Sequence, residues 1–168
     1  MKSYLRLVIV AFLMLASPAA IADVVWPALY LETRLFSWWA IGVGLVAEYL
    51  FIRWLFQQSI QRSVVATVAA NSASSVVGVL LIPVAGILWE FFPGSIYMHI
   101  LHWGTFNPIT WAATFVLACL INSGIEALVY KKGFKFQVHR REFFWIVIAN
   151  AISVGLAFFT LFMVPVES

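Results

Sequence analysis

The sequence predicts an all-α integral membrane protein with four transmembrane helices, arranged as two repeated helical hairpins and preceded by a signal peptide. Three observations lead to this fold class. Of the 168 residues, 64% are hydrophobic and 10% are charged, four apolar runs are long enough to span a bilayer, and two pairs of segments repeat one polar pattern. Soluble domains carry about 25% charged residues, so the composition excludes an ordinary soluble globular protein.

The first 22 residues have the organisation of a signal peptide. MKSYLR is a basic start, LVIVAFLMLA is an apolar stretch, and SPAAIAD contains Ala20 and Ala22 in the A-x-A pattern of a cleavage site. We expect cleavage after Ala22, with Asp23 on the non-cytoplasmic side; an uncleaved anchor helix would have the same orientation. Residues 23–168 then form a single transmembrane domain.

Four spans follow in the mature chain. Hydropathy places them at about 35–56, 64–89, 109–130 and 143–164. Each has close to the ~20 apolar residues that cross a bilayer core of ~30 Å. The second span also carries small residues at four-residue steps, from Ala66 to Gly78, which is typical of a close packing face. We therefore expect the second and fourth spans to lie centrally, with the other two nearer lipid.

Basic residues determine the predicted orientation. Arg53 and Arg62 flank the first connection, whereas the second connection has no lysine or arginine. Because basic connections stay in the cytoplasm, the first and third connections should lie inside and both mature termini outside. The protein is thus expected in the plasma membrane, or in the inner membrane of a Gram-negative cell. The cations of the third connection are Lys131, Lys132, Lys135, Arg140 and Arg141.

The third connection also suggests a lipid partner. In KKGFKFQVHRR, aromatic residues alternate with cations. This pattern suits anionic headgroups, each basic residue contributing about 1 kcal/mol near a charged membrane surface. We prefer this interpretation to nucleic-acid binding, and we expect no nucleic-acid partner.

A polar pattern repeats in the two predicted hairpins. One glutamate in each lies five positions before a basic residue, and one asparagine in each lies nine positions after an arginine, within Ala-Asn-x-x-Ser. We predict an internal duplication, with hairpins at about 26–92 and 106–165 related by a pseudo-twofold axis along the membrane normal. The repeated residues are Glu48, Asn71 and Ser74 in the first hairpin and Glu126, Asn150 and Ser153 in the second.

The two glutamates need partners inside a membrane. A carboxylate at the centre of a transmembrane helix costs about 2.5–3.5 kcal/mol on insertion scales, and an asparagine on the facing helix can donate to it. Three interpretations stay open for Glu48 and Glu126. The Glu–Asn pairs hold helices together, or the two carboxylates form a cation or proton site, or the side chains reach toward the cytoplasmic interface.

The second connection holds the sole grouping with metal-ligand chemistry. YMHILHW places His99 and His102 on one face of a short helix, with Glu90, Met98 and Glu32 as further candidate ligands. Two imidazoles and a carboxylate could hold zinc, and a thioether would suit copper better. The alternative is an interfacial helix with its histidines at the headgroup level, which needs no cofactor.

These features predict function less sharply than fold. No catalytic motif appears, so we expect a protein that is not an enzyme and that has no cofactor. The first hypothesis is a small membrane protein that acts by helix packing and association, as an accessory or assembly subunit or a homo-oligomer. The alternatives are a small cation- or proton-coupled transporter or channel, and a metal-binding membrane protein. Four spans are too few to enclose a protected cavity in one copy of the chain, so transport would need oligomerisation.

Overall fold

The computed structural model describes Leu31 and residues 38–102 and 104–163, and every regular element in this part of the chain is helical. The all-α prediction is therefore confirmed for the described residues. The predicted signal peptide, its cleavage site after Ala22 and the start of the first predicted hairpin lie outside them.

Five α-helices follow one another along the described chain. Two five-residue segments with wider, π-helical turns extend the second and fourth helices: Glu90–Gly94 and Val129–Gly133. The long helices begin and end within about one helical turn of the four hydropathy spans. The helices are α1 (Trp38–Phe56), α2 (Ile60–Trp89), α3 (Ser95–Leu101), α4 (Pro108–Leu128) and α5 (Arg140–Met163).

Local polar residues set the starts of α2 and α4. Ser59 precedes α2, and its hydroxyl oxygen accepts a hydrogen bond from the backbone N–H of Arg62 at 3.3 Å. Asn107 precedes α4, and its side-chain oxygen accepts from the N–H of Thr110 at 2.9 Å. Pro108 follows at the first helical position, where a missing N–H has no consequence. Both helices thus begin at side chains that accept hydrogen bonds from backbone N–H groups without a partner inside the helix.

The helical path after α2 breaks at Phe92, whose backbone is extended with φ −169° and ψ 122°. The short helix α3 follows and ends at His102, which adopts the left-handed conformation with φ 51°. A left-handed residue commonly terminates a helix because it turns the chain away from the helical axis. The second connection therefore contains a short helix and a turn that leads into α4.

The four long helices pack as a ring in which each contacts two neighbours. α1 packs on α2 and α5, and α4 packs on the same two helices. The expectation that the second and fourth spans lie centrally is wrong. The main partner of α2 is α4 and that of α5 is α1, while α2 exposes a face of branched side chains that includes Val65, Val76 and Leu80.

The small-residue stripe of α2 does form a packing face. Ala66, Ala70, Ser74 and Gly78 are all buried. A Cβ added at Gly78 would lie 3.2 Å from the Asn122 side-chain oxygen on α4, so the two helices approach closely at this position. Small side chains allow such an approach between helices in a membrane.

One end of the ring is rich in cations, and we call it the basic end. The Arg62 guanidinium donates to the carbonyl oxygen of Phe134 at 2.6 Å, which joins the first connection to the third. It also lies over the Phe136 ring, 5.1 Å from the centroid. The cations of the basic end are Arg53, Arg62, Lys131, Lys132, Lys135, Arg140 and Arg141, and all of them except Arg53 are exposed.

Two apolar clusters form the core. One lies toward the basic end and includes Ile52, Ala70, Tyr130 and Ile146, and the other lies toward the opposite end. The second cluster consists of Leu31, Ile82, Ala118, Cys119, Val154 and Ala157. The polar residues of the predicted repeat lie between the two clusters along the helices.

Three helical stretches of the described chain are long and apolar enough to cross a membrane. They are Ile60–Leu101 with 42 residues, Pro108–Gly133 with 26 and Arg140–Phe159 with 20. These lengths fit a membrane protein, since ~20 apolar helical residues cross the hydrocarbon core. α1, with 19 residues, is not among these three.

Candidate functional site

Two glutamates lie inside the helical ring. Glu48 is in the middle of α1 and Glu126 is near the end of α4, and their side chains are 3% and 2% exposed. Glutamate is almost never this buried in proteins unless it is paired. Each carboxylate therefore needs donors from the neighbouring helices.

Glu48 receives hydrogen bonds from both helices that flank α1. The side-chain amide of Asn71 on α2 donates to Oε2 of Glu48. The Ser153 hydroxyl on α5 donates to Oε1 at 2.5 Å. Both carboxylate oxygens of Glu48 are thus satisfied, and the carboxylate joins α1 to α2 and to α5.

Glu126 has the corresponding pair of donors. The Asn150 amide on α5 donates to its Oε2 at 2.7 Å. The Ser74 hydroxyl on α2 lies 3.2 Å from its Oε1 and donates to it. The carboxylate of Glu126 therefore joins α4 to both of its neighbours in the ring.

The two sets of hydrogen bonds have the same form. In each, Oε2 accepts from an asparagine that follows in the same hairpin, and Oε1 accepts from a serine of the other hairpin. The asparagines agree in a further detail, because each amide also donates to the carbonyl four residues earlier. These bonds measure 3.0 Å to Thr67 and 3.2 Å to Ile146. A twofold relation between the hairpins would produce this equality.

The repeat predicts that each glutamate lies opposite the asparagine of its own hairpin, and those two contacts are present. It does not predict that each serine contacts the glutamate of the other hairpin. The donors that cross it are 105 residues from Glu48 and 52 residues from Glu126. All six repeated residues therefore belong to one layer of hydrogen bonds rather than to two separate pairs.

A cavity of about 370 Å³ lies beside this layer. Its lining includes both glutamates and all four of their donors, and Asn122 of α4 adds another amide. Ser72 and Ser75 of α2 also line it and are exposed on the surface of the bundle, so the cavity reaches that surface. The volume lies within the range of about 300–1,000 Å³ that is common for ligand pockets.

The chemistry of the layer is that of an oxygen-rich acidic site. Carboxylate, amide and hydroxyl oxygens are ligands of hard cations, and a carboxylate can also carry a proton. Buried charge is costly in low dielectric unless a counter-charge or proton compensates it. The arrangement is therefore suited to a cation or a proton.

Three buried hydroxyls near the layer were missed by sequence reasoning. Ser63 and Thr67 lie on α2 and Tyr130 follows α4, all on the side of the basic end. Thr67 is one helical turn before Asn71, and Tyr130 is one turn after Glu126. Stepping four residues along each helix from the repeated polar positions would have found them.

The predicted metal ligands stay apart from this layer. His99 lies in α3, His102 ends that helix, and Glu90 follows α2. Across residues 38–102 and 104–163, no group of three or more His, Cys, Asp or Glu side chains is placed to hold a metal ion. Glu32 lies outside the described residues. The metal-binding alternative therefore gains no support from the described side chains.

Comparisons with known proteins add no constraint to this geometry. No protein-family model, no curated protein and no solved structure matches the chain. The function must therefore be argued from the buried glutamates, their donors and the cavity.

Proposed function

We propose that the protein is a four-span plasma-membrane protein, or inner-membrane protein in a Gram-negative cell, built from two related hairpins. In this proposal α1 crosses the membrane together with the three long apolar helices, the basic end faces the cytoplasm and its anionic headgroups, and the mature termini lie outside. Support comes from the three long apolar helices, from the cations gathered at one end and from the matching hydrogen bonds of the two hairpins.

Within this architecture the protein handles a small cation or a proton at Glu48 and Glu126. One observation carries the proposal: both carboxylates, from corresponding helices of the two hairpins, line the same 370 Å³ cavity between apolar core clusters. Ionisable residues inside transmembrane helices are expensive, and they commonly mark ion pathways and proton relays. The hydrogen bonds hold the carboxylates in place, and the cavity gives a ligand access to them.

Glutamine substitutions test this function. Glu48→Gln and Glu126→Gln keep hydrogen-bonding capacity but remove the titratable charge. The purified variants would be compared in lipid nanodiscs for the rise of thermal stability with added Na⁺ or K⁺, and in proteoliposomes for proton flux. We expect both variants to fold and to lose the cation-dependent or proton-dependent signal.

Glu142→Gln serves as the matched control. Glu142 is half-buried at the start of α5, where its carboxylate accepts from the N–H of His139 at 3.0 Å, and glutamine can accept in the same way. This variant should behave as the wild type. Unchanged cation and proton signals in Glu48→Gln and Glu126→Gln would reject the proposal and leave the layer as a packing device.

Association is a second candidate function, favoured by a different observation. The cavity reaches the bundle surface at Ser72 and Ser75, where an isolated copy in a membrane would present polar groups to lipid. A second copy or an accessory partner on this face of α2 would cover them. Covering the face would also enclose the carboxylates, so association and ion handling are compatible.

Cysteine crosslinking in membranes tests the association. The chain contains a single cysteine, Cys119, which is buried, so an introduced thiol would be the accessible one. Ser72→Cys should form a crosslinked dimer with a short bis-maleimide. Leu128→Cys, exposed on α4, is the control and should form less dimer. Equal crosslinking at both positions would contradict an interface on this face of α2.

A further inference from the structure

A column of buried hydroxyls leads from the glutamate layer toward the basic end. Ser63, Thr67 and Tyr130 are 0%, 2% and 0% exposed. Among the described residues, none of their three hydroxyl oxygens has a partner at ordinary hydrogen-bond distance and angle, although the Tyr130 phenol faces the Thr67 hydroxyl. Buried polar groups are nearly always hydrogen-bonded, so three neighbouring hydroxyls without such a bond indicate that a water or an ion binds between them.

The column begins at the carboxylates. Thr67 is directly connected to the layer, because its backbone carbonyl accepts from the Asn71 amide at 3.0 Å. The Tyr130 phenol faces the Thr67 side chain, and Tyr130 lies one helical turn beyond Glu126. It therefore lies between the glutamate layer and the basic end.

The column ends in the first turn of α2. Ser63 lies one helical turn beyond Thr67 and about 12 Å along the helix from Asn71. Its neighbour Arg62 lies over the Phe136 ring, and Phe136 is nearly parallel to Tyr130 with ring centroids 6.1 Å apart. The hydroxyls thus run from the carboxylates to the first turn of α2 beside Arg62, with Phe136 stacked on Tyr130 at this end.

The corresponding positions of the other hairpin carry no hydroxyl. Ile146 lies four residues before Asn150 as Thr67 lies four before Asn71, and both carbonyls accept from the asparagine amides. Ile52 lies four residues after Glu48 as Tyr130 lies four after Glu126, and both isoleucines are buried. An apolar side chain thus fills the positions equivalent to Thr67 and Tyr130, so filling space does not require these two hydroxyls.

We propose that the ligand of the glutamate layer is a proton, and that it passes between Glu126 and the basic end through the hydroxyls of Tyr130, Thr67 and Ser63. This inference rests on the proposed function and names its ligand and its route. The side of the ring formed by α2 and α4 carries the hydroxyls of Thr67 and Tyr130, and the side formed by α1 and α5 has isoleucine at these two equivalent positions. The route is therefore confined to one side of the ring.

Each step moves a proton between oxygens. The carboxyl group of Glu126 releases its proton to a neighbouring hydroxyl oxygen or to a water held by it, and that group releases its own proton to the next oxygen. The carboxylate then takes a proton from the cavity side. Only O–H bonds break and form, and no electrons are transferred. A water between these hydroxyls would have the two to four polar partners that buried waters need.

The column suits a proton better than a metal cation. Its hydroxyls are spaced one helical turn apart on α2, whereas a dehydrated cation needs several oxygens around it at one point. Hydroxyl groups both donate and accept, which proton relay requires. Beyond the carboxylates the route therefore has the groups for relay and lacks a cage for an ion.

The test uses the full chain in proteoliposomes with a trapped pH-sensitive dye, and a K⁺ gradient with valinomycin supplies the driving voltage. Thr67→Val and Tyr130→Phe remove a hydroxyl at nearly constant volume. We expect each to lower the proton flux by about tenfold or more. Ile146→Val, at the position equivalent to Thr67, is the matched control and should leave the flux unchanged.

Thermal stability is the second measurement. Removing a hydroxyl that has no protein partner should leave the melting temperature unchanged or raise it. A merely structural hydroxyl would lower it instead. A Thr67→Val protein with reduced proton flux and an unchanged melting temperature therefore indicates a role in the route. A variant with a lowered melting temperature and normal proton flux per folded molecule would overturn the inference.

The remaining outcomes separate this inference from the function on which it rests. Proton flux that is lost in Glu126→Gln but normal in Thr67→Val and Tyr130→Phe would overturn the route and keep the function. Cation-dependent stabilisation without proton flux in the wild type would overturn the proton as ligand and keep a cation site. Absence of both signals in the wild type would reject the function and the inference together.

Discussion

Ser153 donates a hydrogen bond to Glu48 at 2.5 Å across 105 residues of sequence, and it thereby joins α5 to α1. Ser74 donates to Glu126 in the same manner and joins α2 to α4. These two contacts cross from one hairpin to the other, so they bear directly on how the halves of the ring are held together.

Removing either serine hydroxyl should destabilise the protein by a modest and similar amount. Side-chain hydrogen bonds within membrane proteins contribute on average about 0.6 kcal/mol and at most about 1.7. We therefore expect Ser74→Ala and Ser153→Ala each to lower the free energy of unfolding within this range, measured by denaturation in mixed micelles. Ser72→Ala, on the exposed face of α2, is the control and should have no effect.

A second prediction concerns the asparagine amides. Asn150→Leu leaves Oε2 of Glu126 without its donor, and an unsatisfied buried group costs about 1–3 kcal/mol. Adding Glu126→Leu removes the unsatisfied carboxylate, so the double variant should be less destabilised than the sum of the two single variants. A double-mutant cycle measures this difference. Strict additivity would show that the 2.7 Å contact carries no energetic coupling.

Gly44 should be sensitive to substitution, and Gly42 should not. A Cβ at Gly44 would lie 3.1 Å from the Ser153 Cβ, so a larger side chain pushes α1 away from α5. Overpacking of this kind costs about 1–3 kcal/mol. A Cβ at Gly42, two residues earlier in the same helix, meets nothing within 4 Å. The melting temperatures of Gly44→Val and Gly42→Val check the prediction, and equal losses would contradict it.

The proposed orientation predicts the activity of fused reporters. Alkaline phosphatase, which is active only outside the cytoplasm, should be active when fused after Ser168 and inactive when inserted at Lys135. Lys135 lies at the basic end, which the proposed orientation places in the cytoplasm because of its positive residues. The reverse pattern of activities would invert the topology.

The sequence predicted the helices better than their arrangement. Hydropathy located the long helices within about one turn because ~20 apolar residues in succession can form little else in a membrane. It could not choose their neighbours. The small residues from Ala66 to Gly78 correctly predicted a packing face on α2. They could not predict which helix packs against that face, and it is α4 rather than α5.

The sequence predicted which residues form the candidate site, but not all of the hydrogen bonds between them. The repeated spacing identified both glutamates and both asparagines, because spacing along a helix is visible in the chain. Ser153 reaches Glu48 only because α5 closes the ring beside α1, and that contact depends on tertiary packing. Tyr130 and Thr67 were overlooked because neither belongs to the repeat: the other hairpin has isoleucine at both positions.

Each serine donates to the glutamate of the other hairpin, and this has a consequence for biosynthesis. In the proposed four-span architecture, the first hairpin enters the membrane before Ser153 is translated, so that Glu48 can meet Asn71 but not yet Ser153. Neither hairpin can complete its own layer, and each holds the donor that the other lacks. Two fragments, divided in the segment between α3 and α4, should therefore assemble into a working protein only when both are made in the same cell.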